Sequence, residues 1–140
     1  MPGRRTSLGG TDVAKRILVA EDNPALAAVV RLHLEHAGFE VTLARDGREA
    51  WNCLQRQDFD LLVTDQQMPG LSGSELLRRM RQTQRLAGLP VLMLTAKGLE
   101  FEREQVRASF GVLDVLSKPF SPRQLVDQVE SCLAPGVPSG

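Results

Sequence analysis

A few side chains in this sequence stand out for what they could do together. Glu21 and Asp22 close one short apolar run, Asp65 closes another, Thr95 closes a third, and Lys118 follows a fourth. Three carboxylates in one place repel one another unless a cation compensates. Oxygen-only ligands suit a hard ion such as Mg2+, which keeps several waters and binds through few carboxylates. Lys118 would add a mobile positive charge, and Thr95 a hydroxyl donor. Carboxylate nucleophile, hard cation, ammonium and hydroxyl together complement a phosphoryl group in transfer. Each residue alone has an ordinary use: an Asp at a strand end caps helices, a Lys before Pro is a surface charge, and a Thr suits a strand. The case for chemistry rests on all of them reaching the same end of one sheet.

The elements that must deliver them are legible. Apolar runs at 17–20, 41–44, 61–64, 91–95 and 112–116 are too short for helices and suit strands buried on both faces. Amphipathic stretches separate them. Asn23 can cap a helix whose first position is Pro24, where the missing N–H costs nothing. Leu26, Val29, Val30, His33, Leu34 and Ala37 then follow helical spacing, and Gly38 ends the helix. Asp46 with Glu49, Ser72 with Glu75, and Ser121 with Gln124 have capping-box spacing, and Pro122 opens the last helix. Strands alternating with helices, five of each, predict a three-layer, doubly wound (βα)5 α/β fold with a parallel sheet covered on both faces. In such sheets functional groups collect at the carboxyl ends of the strands, where the residues above fall.

At 140 residues the chain suits one domain, and a hydrophobic fraction of 42% can build its core without disulfides or structural metals. Residues 1–14, rich in Gly, Arg, Ser and Thr, read as a flexible arm; 15–133 form the domain; 134–140, APGVPSG, read as a tail. Lys and Arg total 17 and Asp and Glu total 17, a balance that argues against nucleic acid and a polybasic membrane anchor as partners. No apolar run reaches the roughly 18 residues of a membrane span, and no secretory signal is visible. Cys53 and Cys132 lack metal or redox spacing and read as free thiols of a cytoplasmic protein. His33 and His36 read as helix residues, Trp51 as packing on the sheet, and Arg78, Arg79, Arg81 and Arg85 as a solvated basic face.

The blocks VAEDNP, LLVTDQQMPGLSG, VLMLTA and VLSKPF resemble, in order and spacing, the signatures of the response-regulator receiver family of two-component signalling. The resemblance covers about residues 15–133. It implies the flavodoxin-like strand order 2-1-3-4-5. It also implies roles: Asp65 as phosphoacceptor, Asp22 as direct metal ligand, Glu21 as its partner working through water, and the Gln67 backbone carbonyl as a further ligand. Thr95 and Lys118 would contact the phosphoryl oxygens, and the Lys118–Pro119 bond would be cis. The ion would be Mg2+, with Mn2+ as the alternative. The implied donor is a sensor histidine kinase or a histidine phosphotransfer protein, and the implied output is docking on a downstream protein. A stand-alone receiver, monomeric or weakly dimeric, is expected. It would be no enzyme in the turnover sense, but a phosphoacceptor that assists its own phosphorylation and dephosphorylation.

Several positions depart from the usual pattern. Glu21 stands for the commoner Asp, and Val115 stands where most receivers place an aromatic ring that moves with the threonine. Gln67 and Lys97 would flank the phosphoryl group, and neither is a carboxylate able to take a proton from attacking water. That pairing predicts slow self-dephosphorylation. Three rivals weigh less. A flavin domain of the same topology would need a hydroxyl- and glycine-rich phosphate loop where this chain has Glu-Asp-Asn-Pro. An aspartyl phosphatase would place Asp-x-Asp after the first strand. A receiver-like binding module that never takes phosphate sits poorly with an intact set of site side chains.

Overall fold

The computed structural model describes residues 14–96 and 113–133. Strands β1 (Arg16–Ala20), β2 (Glu40–Ala44), β3 (Leu61–Asp65), β4 (Val91–Thr95) and β5 (Leu113–Ser117) form one sheet in the order β2-β1-β3-β4-β5. Every pairing is parallel. Helices α1 (Pro24–His36), α2 (Gly47–Arg56), α3 (Gly73–Arg81) and α4 (Pro122–Leu133) complete the described layers, with a 3-10 turn at Gln84–Leu86. The strand order and the doubly wound α/β fold agree with the expectation. The helix expected between β4 and β5, the arm short of Ala14 and the tail at 134–140 lie outside the described residues.

Alternation along the strands sorts side chains onto two faces. Leu18, Leu62, Met93 and Val115 face one way and meet Ala50, Cys53 and Leu54 of α2 and Leu76, Leu77 and Met80 of α3. Ile17, Val19, Val63, Leu92 and Leu94 face the other way and meet Val30 and Leu34 of α1 and Leu125 and Val129 of α4. β3 and β4 are buried along their whole length, as central strands covered on both faces must be. Each fully buried Leu or Val contributes roughly 1.5–3 kcal/mol of transfer free energy. Among the described residues no helix is long and apolar enough to cross a membrane.

The caps follow the sequence. The Asn23 side chain accepts from the Ala25 and Leu26 amides, Pro24 opens α1, and Gly38 takes φ +102° just past its end. Ser72 and Glu75 form a reciprocal capping box on α3. Ser121 and Gln124 do the same for α4, at 2.8 and 3.0 Å. Asp46 accepts from the Glu49 amide at 2.8 Å, but the Glu49 carboxylate reaches Arg45 N rather than Asp46 N.

Two expectations need correction. Val29 is 46% exposed, because the sheet-facing side of α1 runs through Leu26, Ala27, Val30 and Leu34. The basic stretch is not uniformly solvated. Arg81 is half-buried and donates to the carbonyls of Leu86 and Leu89, and Arg85 pairs with Asp58 and the Leu54 carbonyl. Arg78 and Arg79 are exposed, with Arg79 lying over the half-buried Trp51 ring. Trp51 is half-buried against the α2–α3 side of the core.

Candidate functional site

The carboxyl ends of β1, β3, β4 and β5 converge. β1 ends at Ala20, but the Glu21 amide still donates to the Ala44 carbonyl at 3.0 Å, so Glu21 is carried on sheet-anchored backbone. Its Oε2 accepts from the Asn23 amide at 3.1 Å, tying it to the residue that caps α1. Asp65 and Thr95 are the last residues of β3 and β4. The Lys118 amide donates to the Thr95 carbonyl at 2.7 Å, and the Lys118–Pro119 bond is cis, as expected.

The side chains meet. Lys118 Nζ lies 3.1 Å from Asp65 Oδ1 and 3.5 Å from Glu21 Oε1. One carboxylate oxygen from each of Glu21, Asp22 and Asp65 lies within 4.8 Å of the others. Glu21 and Asp65 are 2% and 7% exposed, whereas Asp22 is open to solvent. Burial pushes the Glu21 carboxyl above its ordinary range. The Asn23 amide opposes that, Asp65 adds to it, Lys118 opposes it, and Asp22 adds again. At 3.5 Å the ammonium attracts Glu21 Oε1 without hydrogen-bonding it, so that buried oxygen has no hydrogen-bond donor among the described residues. The buried Thr95 hydroxyl also lacks a partner.

These orphaned atoms show what the site fits. Buried polar atoms are nearly always paired, and here one acceptor within the cluster of three carboxylates and one ammonium, and one hydroxyl at the adjoining strand end, are not. A hard cation would satisfy the excess negative charge, and its oxygen-only donor set matches Mg2+. A phosphoryl oxygen would satisfy the Thr95 hydroxyl.

Of the residues singled out in the sequence, the structure brings Glu21, Asp22, Asp65 and Lys118 together, and sets Thr95 at the adjoining strand end. Gln67 stands in the β3–α3 loop with an exposed side chain, and Lys97 lies outside the described residues. Sequence reasoning missed the device that holds this loop. The Gln66 side chain donates to Ser74 Oγ at 2.8 Å and accepts from Ser74 N at 3.0 Å, while Gly73 N donates to Gln66 O at 2.9 Å. A Cβ on Gly73 would stand 2.5 Å from the Asp65 carbonyl oxygen, so only glycine lets α3 start this close to the end of β3. The one available signal was a glycine directly after the Ser72 cap.

Residues 17–130 match the family described as the response regulator receiver domain. The phosphate regulon transcriptional regulatory protein PhoB of Rhizobium meliloti is 44% identical over 118 residues, covering 84% of this chain and 52% of its own length. The chain thus spans about half the length of that curated relative. A response regulator structure from Chloroflexus aurantiacus superposes with a TM-score of 0.81 at 36% identity, covering 86% of this chain and 98% of that one. The receiver domain of the sensor histidine kinase PA1611 from Pseudomonas aeruginosa gives 0.77 at 31% identity, covering 86% and 98%. That structure holds a magnesium ion coordinated in its active-site cleft.

Proposed function

The chain belongs to the response regulator receiver domain family, and from that premise we propose that residues 15–133 accept a phosphoryl group on Asp65 in a Mg2+-dependent reaction. The observation that carries the reading is the Asp65 carboxylate, 7% exposed, with Lys118 Nζ at 3.1 Å and the Glu21 and Asp22 oxygens within 4.8 Å. Asp22 and Asp65 would hold the ion directly, with Glu21 acting through water and the Gln67 backbone carbonyl completing the protein ligands. When bound, the ion supplies positive charge that offsets the charge developing on the phosphoryl oxygens.

The chain's own groups do the rest. A free Asp65 oxygen attacks phosphorus in line, the bond from phosphorus to the donor's imidazole nitrogen breaks, and the imidazole leaves. Lys118, already beside Asp65, follows the new negative charge onto the phosphoryl oxygens. Thr95 donates its unpartnered hydroxyl to one of them. The donor is a sensor histidine kinase or a histidine phosphotransfer protein, and the output is docking on a partner protein.

Val115 is 3% exposed and packed in the same cluster as Leu62 and Met93, on a stiff β-branched side chain. The response therefore does not run through a swinging ring at this position. The test is incubation with a small-molecule phosphodonor, with Mg2+ or with a chelator, read by intact mass. A gain of one phosphoryl group only in the metal-loaded arm is expected. An equal gain in the chelator arm would remove the metal from the mechanism.

A further inference from the structure

A second concave site lies away from the carboxylates, among α2, the loop before α3 and the last turn of α3. Its volume is about 370 Å3, and Arg48, Trp51, Asn52, Gly70, Leu71 and Arg79 line it. That size is in the range of small-molecule pockets, which run to roughly 300–1,000 Å3, and exceeds what a bare ion needs. The lining carries two guanidinium groups and no carboxylate.

The two arginines are held differently. Arg79 sits over the Trp51 ring at 5.7 Å, a cation–π contact that ties it to the indole. Arg48 passes alongside Gly70, whose φ is +84°, with the Arg48 Nε 3.8 Å from the place a Cβ would take there. Arg16, Arg31, Arg45, Arg85 and Arg123 each pair with a carboxylate. Arg48 is exposed, and no carboxylate lines the pocket beside it. Asn52 adds an amide, and the buried Leu71 and the half-buried indole complete a lining that is more polar than apolar.

We propose that this pocket binds a small organic oxyanion, a phosphate or carboxylate group on a flat apolar body, with Arg48 and Arg79 gripping the anion and Trp51 and Leu71 beneath the body. Guanidinium forks match such oxyanions because their planar donors reach two oxygens at once. The apolar body accounts for the rest of the volume, which inorganic phosphate would leave to water. The site stands apart from the phosphoacceptor chemistry, and its fate does not depend on Asp65.

Trp51 is the chain's single tryptophan, so its fluorescence reports this pocket alone. The experiment is a titration with phenyl phosphate, benzoate, inorganic phosphate and phenol, with the Gly70 amide signal followed by NMR in parallel. Phenyl phosphate or benzoate should give a saturable response with a dissociation constant of about 1 mM or below. Inorganic phosphate should bind more weakly, and phenol should not saturate. Arg48→Gln, at an exposed position, should weaken phenyl phosphate binding about tenfold, as expected for loss of one charge-assisted contact. No response of either signal, an equal response to phenol, or unchanged binding in Arg48→Gln would each overturn the site.

Discussion

Removing the Asp22 charge should stabilise the metal-free protein. Asp22 is exposed and makes no ion pair among the described residues, yet its carboxylate shares a 4.8 Å cluster with Glu21 and Asp65. At that 4.8 Å outer limit, two unit charges repel by about 0.9 kcal/mol even at the dielectric of water. The water value is the right one for an exposed group. Asp22 meets two such partners, and Lys118 offsets part of the sum, so Asp22→Asn should gain on the order of 1 kcal/mol. For a domain of this size that is a rise of about 3–5 °C in Tm. Asp65→Asn should gain less, because it also gives up the Lys118 contact at 3.1 Å. The gain should depend on pH. The folded-state pKa of Glu21 is raised, so the folded protein binds that proton more tightly than the unfolded chain does. Stability of the wild type therefore falls as pH rises from the ordinary carboxylate range through the raised value, and the penalty is full above it. Asp22→Asn should help most above that window and least below it. Thermal melts in chelator across pH measure this, with Mg2+ added as a second arm. An Asp22→Asn protein that melts no higher than wild type at neutral pH without metal would refute a repulsive cluster.

Other outcomes follow from the packing. Gly73→Ala should cost about 1–3 kcal/mol by urea unfolding, since the added methyl meets the Asp65 carbonyl oxygen and Met93 Sδ at 2.5 and 2.9 Å. Ser121→Ala should cost about 1 kcal/mol through loss of the α4 cap, with the urea slope unchanged. Cys132, pushed up to about 11 by burial and by Asp114, should react with a thiol reagent at mildly alkaline pH far more slowly in the native state than in denaturant. Native labelling at the denatured rate would show that this thiol is not held among the α4 and β5 side chains.

Much of the fold was legible because β3 and β4 are apolar without interruption and the caps at Asn23, Ser72 and Ser121 mark helix starts. The candidate site was legible because its members sit at strand ends, where a parallel sheet must gather them. What escaped depends on three-dimensional closeness. Val29 has the spacing of a buried residue, but the face of α1 is set by where the sheet lies. Arg81 and Arg85 look like surface charges in one dimension, and only the folded loops bring carbonyls to them. The Gln66–Ser74 clasp joins residues eight apart across a loop, a distance at which no periodic pattern operates.

Asp65 is the proposed phosphoacceptor. The direct measurement is intact mass with peptide localisation after exposure to Mg2+ and a small-molecule phosphodonor, on wild type and Asp65→Asn side by side. The wild type should gain one phosphoryl group, localised to Asp65, and Asp65→Asn should gain none. An Asp65→Asn protein phosphorylated to the same extent as wild type would contradict the account.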